Sequence, residues 1–460
     1  MWESFIETVT KVNDWVNGVV WGWPMIVMIL GTGILLTVRT KVLQVRKFGE
    51  SLSSTIVPVV KGLGKKQGKR DKNSISQFEA FSAAISGTVG TGNIIGVTSA
   101  ILTGGPGAVM WMWISAFVGM VTNYSENVLG LYYRRKEKDG SFSGGAFYYI
   151  AYGLKQNWLG LFAAVFCLLA ATGMSGVQTN KITGSFISVL NTDETWVKLL
   201  IGSVVALFAA VVIIGGIKRI GRIASMLVPF MSVLFIIMSF IIIGKNIGAV
   251  PETFRLIFSS AFSAKAVAGG VGGFVFSQII KKGLARGVFS NEAGLGSSVI
   301  AHSASETREP VKQGLWGIFE VFFDTFVICT LTALVVLTTN IGNGSYENGS
   351  FFGTTNAAGE FVGASDSATS LSAFSSNLGT FGTVTFLTIL PLFAFTTILA
   401  WSYYGEKAMD FCFRNTSEKA RKNATMIFKV AYILLIVFSS LIGSDLIWAL
   451  DGTFNGLMAL

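Results

Sequence analysis

The sequence contains few charged residues for its length. Only 13% of the 460 residues are Asp, Glu, Lys or Arg, whereas ordinary soluble domains carry about 25%. Hydrophobic residues make up 51% of the chain, and the mean hydropathy is +0.61. A soluble fold with so few charges could not cover its surface, which excludes that class. A transmembrane β-barrel is also excluded, because the apolar runs here are uninterrupted and about twice the roughly ten residues of a barrel strand.

Cysteine and histidine are scarce as well. Cys167, Cys329 and Cys412 are odd in number and lack metal-ligand spacing, so neither a disulfide framework nor a metal centre is predicted. His302 is the single histidine, and we interpret it as structural. No GxSxG, HExxH or P-loop pattern occurs. We therefore predict that the protein is not an enzyme and carries no organic cofactor.

Long apolar runs take the place of these missing features. A helix that crosses a bilayer needs about 20 predominantly apolar residues, and the chain offers about eleven such runs. The last of them is cut by the end of the sequence at Leu460. The chain is thus predicted to be an all-α polytopic membrane protein. The predicted spans are 23–39, 77–103, 106–133, 157–178, 196–216, 223–243, 266–286, 314–338, 381–403, 424–442 and 446 onward.

The distribution of Lys and Arg between these runs predicts their orientation, because cytoplasmic loops carry the excess of positive charge. One side receives 29 of the 35 basic residues, including five in 281–312, and the other receives six. This predicts a multi-pass protein of the cell's inner (plasma) membrane, with its N-terminus outside and its C-terminus in the cytoplasm. Topology control accounts for the net charge of +10, so no nucleic-acid partner is predicted.

Two of the spans are rich in glycine. Residues 86–97 read SGTVGTGNIIGV, and about 180 residues later 264–287 carries Gly269, Gly270, Gly272 and Gly273. Five spans begin with each of the two segments, so the second set has the opposite orientation. Broken helices at matching positions of inverted halves indicate a transporter's central site. The predicted units are an N-terminal segment with one extra span and a basic loop (1–73), a first repeat (74–245) and a second repeat (246–460).

Unwinding at the first segment would supply ligands. Gly87, Gly90 and Gly92 allow it without a Cβ penalty, which frees carbonyl oxygens for a hard cation. The N–H groups that begin the second half-helix favour a carboxylate. The alternative is that the glycines only allow close helix packing. The interleaved Thr91 and Asn93, together with the second glycine-rich span, favour a binding site.

Other polar residues lie inside spans. Gln178 could hydrogen-bond a ligand or face water. Thr396 and Thr397 are adjacent mid-span hydroxyls, although threonine commonly bonds back to its own helix. Trp401 lies one turn beyond Thr397 on the same face, where it could form the wall of a small pocket or act as an interfacial anchor.

Two acidic residues lie in apolar surroundings. Intramembrane acids are candidates for function, but Glu126 and Asp324 could equally be paired for structural reasons. The small-residue stretch 287–305 is predicted to form a re-entrant or interfacial helix that closes the inner path, as a gate and not as a binding site.

Three motifs together resemble one family. GGPGAVMWMWISAFVG (104–119), SGTVGTGNIIGV (86–97) and FSNEAGLGSS (289–298) resemble the alanine or glycine:cation symporters, and the resemblance covers essentially the whole chain. It implies the LeuT-type fold, a 5+5 inverted repeat with one extra N-terminal transmembrane helix, in which the first and sixth core helices are broken. Met110 departs from the aromatic residue expected there, which is a conservative change in bulk.

The resemblance also implies site residues. The GxGN at Gly90–Asn93 is similar to the unwound segment that meets the substrate carboxylate. A sodium site between the first and eighth core helices would use the carbonyls of Ser86, Val89 and Phe393 and the hydroxyls of Thr396 and Thr397. The implied substrate-binding residues are Thr91, Gly92, Asn93, Gln178, Phe276, Ile280, Thr397 and Trp401.

The predicted function is import of small neutral amino acids, alanine or glycine, coupled to sodium by alternating access. The protein is expected to work in a lipid bilayer as a monomer. Proton coupling is the alternative, with Glu126 or Asp324 as candidate titratable groups. An ion channel is a further alternative, although paired half-broken helices favour occlusion over a continuous pore.

Overall fold

The computed structural model describes residues 2–62, 74–137, 140–262, 270–344, 353–355, 361–363 and 365–459. Within these ranges the protein is mostly helical. The first part of the chain contributes a helix ahead of the extra span, the extra span itself, two helices after it and two helices on either side of a bend. These are α1 (Trp2–Val20), α2 (Trp23–Arg39), α3 (Leu43–Arg46), α4 (Phe48–Gly62), α5 (Gln77–Thr88) and α6 (Val97–Gly104).

The middle of the chain forms long helices joined by short connections. A two-stranded hairpin and a short helix separate the first of them from the next. In order they are α7 (Ala108–Tyr133), β1 (Arg135–Lys136), β2 (Phe142–Ser143), α8 (Ala146–Gly153), α9 (Asn157–Leu190), α10 (Thr195–Ile213), α11 (Gly216–Lys245) and α12 (Val250–Ala261).

The last part begins after residues 263–269, which lie outside the described ranges. Its elements are α13 (Gly270–Asn291), α14 (Ser298–Ser303), α15 (Pro310–Val321), α16 (Thr330–Gly342), β3 (Gly353–Thr355), β4 (Phe361–Gly363), α17 (Asp366–Cys412), α18 (Glu418–Ser439) and α19 (Ser444–Ala459). Both hairpins are antiparallel; β1 pairs Arg135 with Ser143, and β3 pairs Gly353 with Gly363.

Local sequence explains where several helices begin. At the start of α5, the Ser76 hydroxyl accepts from the Glu79 N–H, and the Glu79 carboxylate accepts in return from the Ser76 N–H. This reciprocal capping satisfies two N–H groups that a helix start otherwise leaves unpaired. Ser365 and Ser417 cap α17 and α18 in the simpler way. Within α17, Gly379 has φ +59 and marks a kink.

Seven helical stretches of the described chain are long and apolar enough to cross a membrane, and the bent pair of α5 with residues 92–104 could make an eighth. The other predicted spans correspond to α7, α13 and α19. These three are not among the seven; α19 has only 16 residues, and buried polar residues such as Asn123 on α7 and Asp451 on α19 lower their apolarity. A multi-pass helical architecture is confirmed, and the count of eleven stays a prediction.

The longest helices form the centre of the protein. Helix α17 packs along α9 and also against α5 and α11, and its Phe393, Trp401 and Tyr404 are fully buried. By contrast, α10 and α11 expose large apolar side chains, including Leu207 and Phe240. An exposed apolar belt of this kind suits a lipid environment. Polar residues such as Asn93 and Asp324 are instead buried at the centre, where other protein groups satisfy them.

One sequence expectation about α13 is not confirmed and stays a prediction. The glycine-rich interruption was expected at Gly269–Gly273, but Gly270, Gly272 and Gly273 lie within the continuous helix α13, and Gly269 lies outside the described residues. Glycine weakens a helix by only about 1 kcal/mol, so packing can keep such a run helical. The described chain instead breaks at residues 292–297, where Gly294 and Gly296 have positive φ. This is the stretch for which a gate was predicted.

Candidate functional site

The helix that begins at Gln77 is interrupted after Thr88. Residues 89–91, here called the first interruption, separate α5 from a π-helical turn at Gly92–Gly96 that continues into α6. The two halves are bent by 48°. Val89 leaves the helical region with φ −83 and ψ 89. Since π turns are rare and often lie at functional sites, this geometry agrees with an unwound segment in the sequence SGTVGTGN.

Neutral side chains satisfy the backbone of the first interruption. The Gly90 N–H donates to Asn93 Oδ1 at 2.9 Å, and the Thr91 N–H donates to Gln178 Oε1 at 3.1 Å. Gln178 is therefore buried and turned toward the interrupted helix, while its contact with a ligand stays a prediction. The Thr91 hydroxyl is buried and has no hydrogen-bond partner among the described residues. The segment thus offers backbone and hydroxyl groups whose present partners are uncharged.

Asn93 connects the π turn to two other elements. Its Nδ2 donates to Asp324 Oδ1 at 2.6 Å and to Ser290 Oγ at 3.1 Å. Asp324 also accepts from Ser290 and Thr325, each at 2.9 Å. The two residues Asp324 and Thr325 lie in a second π-helical stretch, Phe322–Cys329. Asp324 is therefore a fully buried carboxylate held by neutral donors beside the first interruption.

The residues implied for a cation site lie on α5, its C-terminal cap and α17. On α17, the hydroxyls of Thr396 and Thr397 both donate to the Phe393 carbonyl at 3.0 Å. Thr397 lies directly against the first interruption, because a Cβ placed on Gly90 would be 2.5 Å from its Oγ1. Ser86 and Val89 are fully buried near the end of α5, and Val89 shares a hydrophobic cluster with Phe393. The structure thus brings Val89 and Gly90 close to Phe393 and Thr397 on α17.

Residues 292–297, the second interruption, lie between α13 and α14. Glu292 is fully buried with φ +56, and its carboxylate accepts from Trp401 Nε1 at 3.1 Å and from the Ser297 hydroxyl. Trp401, predicted as a pocket wall, therefore contacts the second interruption through Glu292. The Gly296 N–H donates to Glu126 Oε1 at 3.1 Å. Glu126 thus has a structural partner in the Gly296 N–H.

The single histidine has a structural environment. His302 Nε2 lies 2.7 Å from Glu320 Oε2, and its Nδ1 lies 2.6 Å from Gln313 Nε2. All three residues are fully buried. This agrees with the structural interpretation of His302 and fixes the short helix α14 against α15.

Sequence reasoning missed the importance of Arg286. It was counted, with Lys281 and Lys282, among the basic residues of an inner loop. In the structure all three lie on α13, where Lys282 packs beside Gly104 and the Arg286 guanidinium donates to the Gly92 carbonyl. Lys282 therefore lies at the C-terminal end of α6, whereas Arg286 lies at the π turn that precedes α6. The signal available in the sequence was a lone arginine between small residues, in KKGLARGVFSNEAG.

Two predicted substrate residues lie in the first half of α13. Nothing is described of the Phe276 side chain, so that prediction falls outside the described residues. Ile280 lies six positions before Arg286, about 9 Å along the helix axis at 1.5 Å per residue. Because neighbouring Lys282 packs beside Gly104, Ile280 is level with the far end of α6. The structure does not bring it together with Thr91.

Comparison with known proteins places this arrangement in a family. The model of the sodium:alanine symporter family matches residues 6–460. The chain belongs to this family. Curated members are similar over almost their full length. The sodium/alanine symporter AgcS of Methanococcus maripaludis is 37% identical over 460 residues, covering 99% of this chain and 93% of the relative.

Two Bacillus subtilis relatives show a similar likeness. The putative sodium/proton-dependent alanine carrier protein YrbD is 37% identical over 448 residues, covering 96% of this chain and 86% of the relative. The probable sodium/glutamine symporter GlnT is 35% identical over 445 residues, with 96% and 85% covered. Membership confirms the predicted family and the non-enzymatic assignment. This family member is a cation-coupled amino-acid symporter of the membrane.

A solved structure shows the fold. The crystal structure of MhsT in complex with L-phenylalanine matches with a TM-score of 0.57 at 15% identity, covering 85% of this chain and 89% of that chain. This similarity confirms the LeuT-type fold class at a coarse level.

Proposed function

We propose that this symporter imports small neutral amino acids, alanine or glycine, together with sodium, by alternating access. The observation that carries the proposal is the first interruption. Its N–H groups are held by the neutral amides of Asn93 and Gln178, which a ligand can replace without stranding a charge. Irregular backbone at this depth is tolerated only where protein or a wet cavity satisfies it.

Sodium is assigned to the space between α5 and α17. In this proposal the carbonyls of Ser86, Val89 and Phe393 and the hydroxyls of Thr396 and Thr397 coordinate the ion. The close approach of Thr397 to Gly90 supports the assignment. Both hydroxyls now donate to the Phe393 carbonyl. A hydroxyl oxygen also carries acceptor lone pairs, so each threonine can donate to the Phe393 carbonyl and still offer its oxygen to the ion.

The amino acid is assigned to the other side of the first interruption. Its carboxylate would accept from N–H groups at Thr91, Gly92 and Asn93, and its ammonium would meet freed carbonyl oxygens. Gln178 already contacts the Thr91 N–H and would adjust when the carboxylate arrives. Trp401 would close the site through its bond to Glu292. Phe276 and Ile280 keep their predicted role in limiting side-chain size only as an expectation from the sequence.

The wider organisation remains part of the proposal. The protein is proposed to cross the plasma membrane eleven times, with its N-terminus outside and its C-terminus in the cytoplasm. Its proposed units are residues 1–73, 74–245 and 246–460. The protomer is proposed to be functional as a monomer.

Moving one charge across 100 mV releases about 2.3 kcal/mol. At about 1.4 kcal/mol per decade, one sodium ion would therefore support a concentration gradient of the amino acid of roughly fortyfold.

Uptake into proteoliposomes tests the function. Labelled alanine should accumulate when an inward sodium gradient is imposed and should not accumulate with potassium or choline in its place. Glycine should compete, and glutamine, which carries a larger side chain, should compete less. Uptake driven by a pH gradient without sodium would overturn the sodium assignment, and ion current without uptake would favour the channel.

Proton coupling has one observation in its favour. Asp324 is a buried carboxylate with no ion pair among the described residues, and it contacts Asn93 of the π turn. If sodium is the coupling ion, alanine should drive no proton influx in the wild type, and Asp324→Asn should retain sodium-driven uptake. A pH-sensitive dye inside the vesicles measures this influx. Alanine-driven acidification that Asp324→Asn removes, and that Asp193→Asn on an exposed loop retains, would support the proton alternative.

A further inference from the structure

Arg286 is a buried cation with almost no direct partner. Only 9% of the residue is exposed. Within the described residues its guanidinium makes one hydrogen bond, to the Gly92 carbonyl, and its buried Nε–H has no acceptor. A buried charge is costly unless it is paired and hydrogen-bonded. A single neutral carbonyl therefore leaves this guanidinium incompletely satisfied.

The nearest acidic groups are already engaged. Asp324, Asp366 and Asp451 lie close enough to influence Arg286 electrostatically, but none forms an ion pair with it in the described structure. Asp324 accepts from three neutral donors. Asp366 pairs with Lys181 at 3.3 Å, and Asp451 accepts from Asn455 at 2.9 Å. The field of these acids favours a cation at Arg286 without occupying its donors.

The guanidinium borders a cavity of about 510 Å³ beside α13, here called the α13 cavity. Lys281 and Lys282 also line it, and no Asp or Glu of the described chain does. Phe289 and Trp448 lie 5.0 and 5.6 Å from the guanidinium carbon, measured to their ring centroids. The cavity thus combines three positive charges with an apolar support, which suits a small organic anion. The lining residues include Asn17, Trp21, Ser99, Thr103, Gln278 and Trp448.

The α13 cavity also adjoins the first interruption. Arg286 packs so closely on Gly96 that a Cβ there would overlap the guanidinium, and it bonds the carbonyl of Gly92. The N–H groups proposed for the substrate carboxylate belong to residues 91–93. A carboxylate bound at Arg286 would therefore lie close to the N–H groups that are proposed to bind it at the first interruption.

We propose that Arg286 binds the carboxylate of an amino acid in the α13 cavity before the amino acid reaches the first interruption. The proposal rests on the proposed function, because it assumes that an amino acid is the cargo. The α13 cavity would thus contain a second binding site, here called the station, which selects anions and requires no sodium. Bidentate guanidinium–carboxylate contact supplies both geometry and charge.

Propionate, which is alanine without its ammonium group, tests the station by itself. We would titrate it by calorimetry into the purified full-length symporter in a sodium-free buffer of HEPES and choline hydroxide, which contains no competing carboxylate. The wild type should bind it saturably. Arg286→Gln should weaken this binding at least about tenfold, and Arg286→Lys should weaken it less, because a charge remains without the planar fork. Arg222→Gln, an exposed arginine on α11, is the matched control and should bind as the wild type does.

Two further variants keep the test decisive. If Arg286→Gln does not fold, the double variant Lys281→Gln/Lys282→Gln leaves the Arg286–Gly92 bond intact and should still weaken propionate binding by a few fold. Thr397→Ala should leave propionate binding unchanged while weakening sodium dependence. A wild type that binds propionate but shows no sodium-driven alanine uptake would overturn the proposed function alone.

Three results would overturn the station itself. One is a wild type that does not bind propionate while sodium-driven alanine uptake is intact. The second is unchanged binding in both Arg286→Gln and the lysine double variant. The third is a site that chloride saturates and from which propionate cannot displace it, because its natural occupant would then be an inorganic anion.

Discussion

The two interruptions of the core helices are stabilised in opposite ways. At the first interruption, the amides of Asn93 and Gln178 hold the free N–H groups. At the second, carboxylates do so: Glu126 holds the Gly296 N–H, and Glu292 joins Ser297 to Trp401. A neutral amide can be exchanged for a ligand at low cost, whereas a buried carboxylate is costly to leave unpaired. The first interruption is therefore suited to exchange of ligands and the second to a fixed shape.

The largest effect should come from closing the first interruption. Gly90→Ala places a Cβ 2.5 Å from Thr397 Oγ1 and 3.3 Å from the Gln178 amide. Overpacking of this kind costs about 1–3 kcal/mol at the point where both proposed ligands bind, so uptake should fall below detection. Gly31→Ala, where a Cβ meets nothing within 4 Å, is the control. Normal uptake by Gly90→Ala would contradict the placement of the site.

A stability effect should dominate at the second interruption. Glu126→Ala removes the acceptor of the Gly296 N–H, and a stranded buried donor costs about 1–3 kcal/mol. The midpoint of thermal unfolding in detergent should fall, while Glu126→Gln, which keeps an acceptor, should recover most of the loss. If the alanine variant unfolded like the wild type but lost transport, the second interruption would have a direct role in transport.

A smaller and more selective effect is expected at Thr397. Thr397→Ala removes one proposed sodium ligand, so the sodium concentration for half-maximal uptake should rise by roughly tenfold, or about 1.4 kcal/mol, before the preference among amino acids changes. Thr388→Ala on the same helix loses only a bond to its own backbone at an exposed position and serves as control. An unchanged sodium dependence would show that the ion binds elsewhere.

The smallest effect is expected where the two regions meet. Trp401→Phe keeps an aromatic ring but removes the hydrogen bond to Glu292, which is worth about 0.5–1.5 kcal/mol. The KM for alanine should rise less than about tenfold, with sodium dependence unchanged. Glu292→Gln keeps an acceptor for Trp401 and should have a weaker effect still. A large shift in sodium dependence in either variant would join the two interruptions into one site.

Hydropathy predicted the multi-pass helical class, since each expected span coincides with a helix or helix pair of the described chain. The glycine pattern located the first interruption, because glycines there alternate with Thr91 and Asn93. The second interruption lies inside the stretch 287–305, which was predicted only as a re-entrant or interfacial helix, while glycine spacing put the expected break at residues 269–273. It is held by a bond between Glu126 and Gly296, two residues far apart in the chain. Sequence periodicity predicts neither this pairing nor the contact between Arg286 and Gly92.

The helix that precedes the extra span gives access to measurement. Helix α1 is tied to α19 through Asn17, which donates to the Ala449 carbonyl at 3.4 Å, and Trp21, directly after α1, donates through Nε1 to the Gly452 carbonyl at 2.8 Å. Trp15, on the same helix, is 72% exposed. A fluorophore or spin label attached at position 15 would therefore report movements of α19 beside the α13 cavity while touching neither interruption.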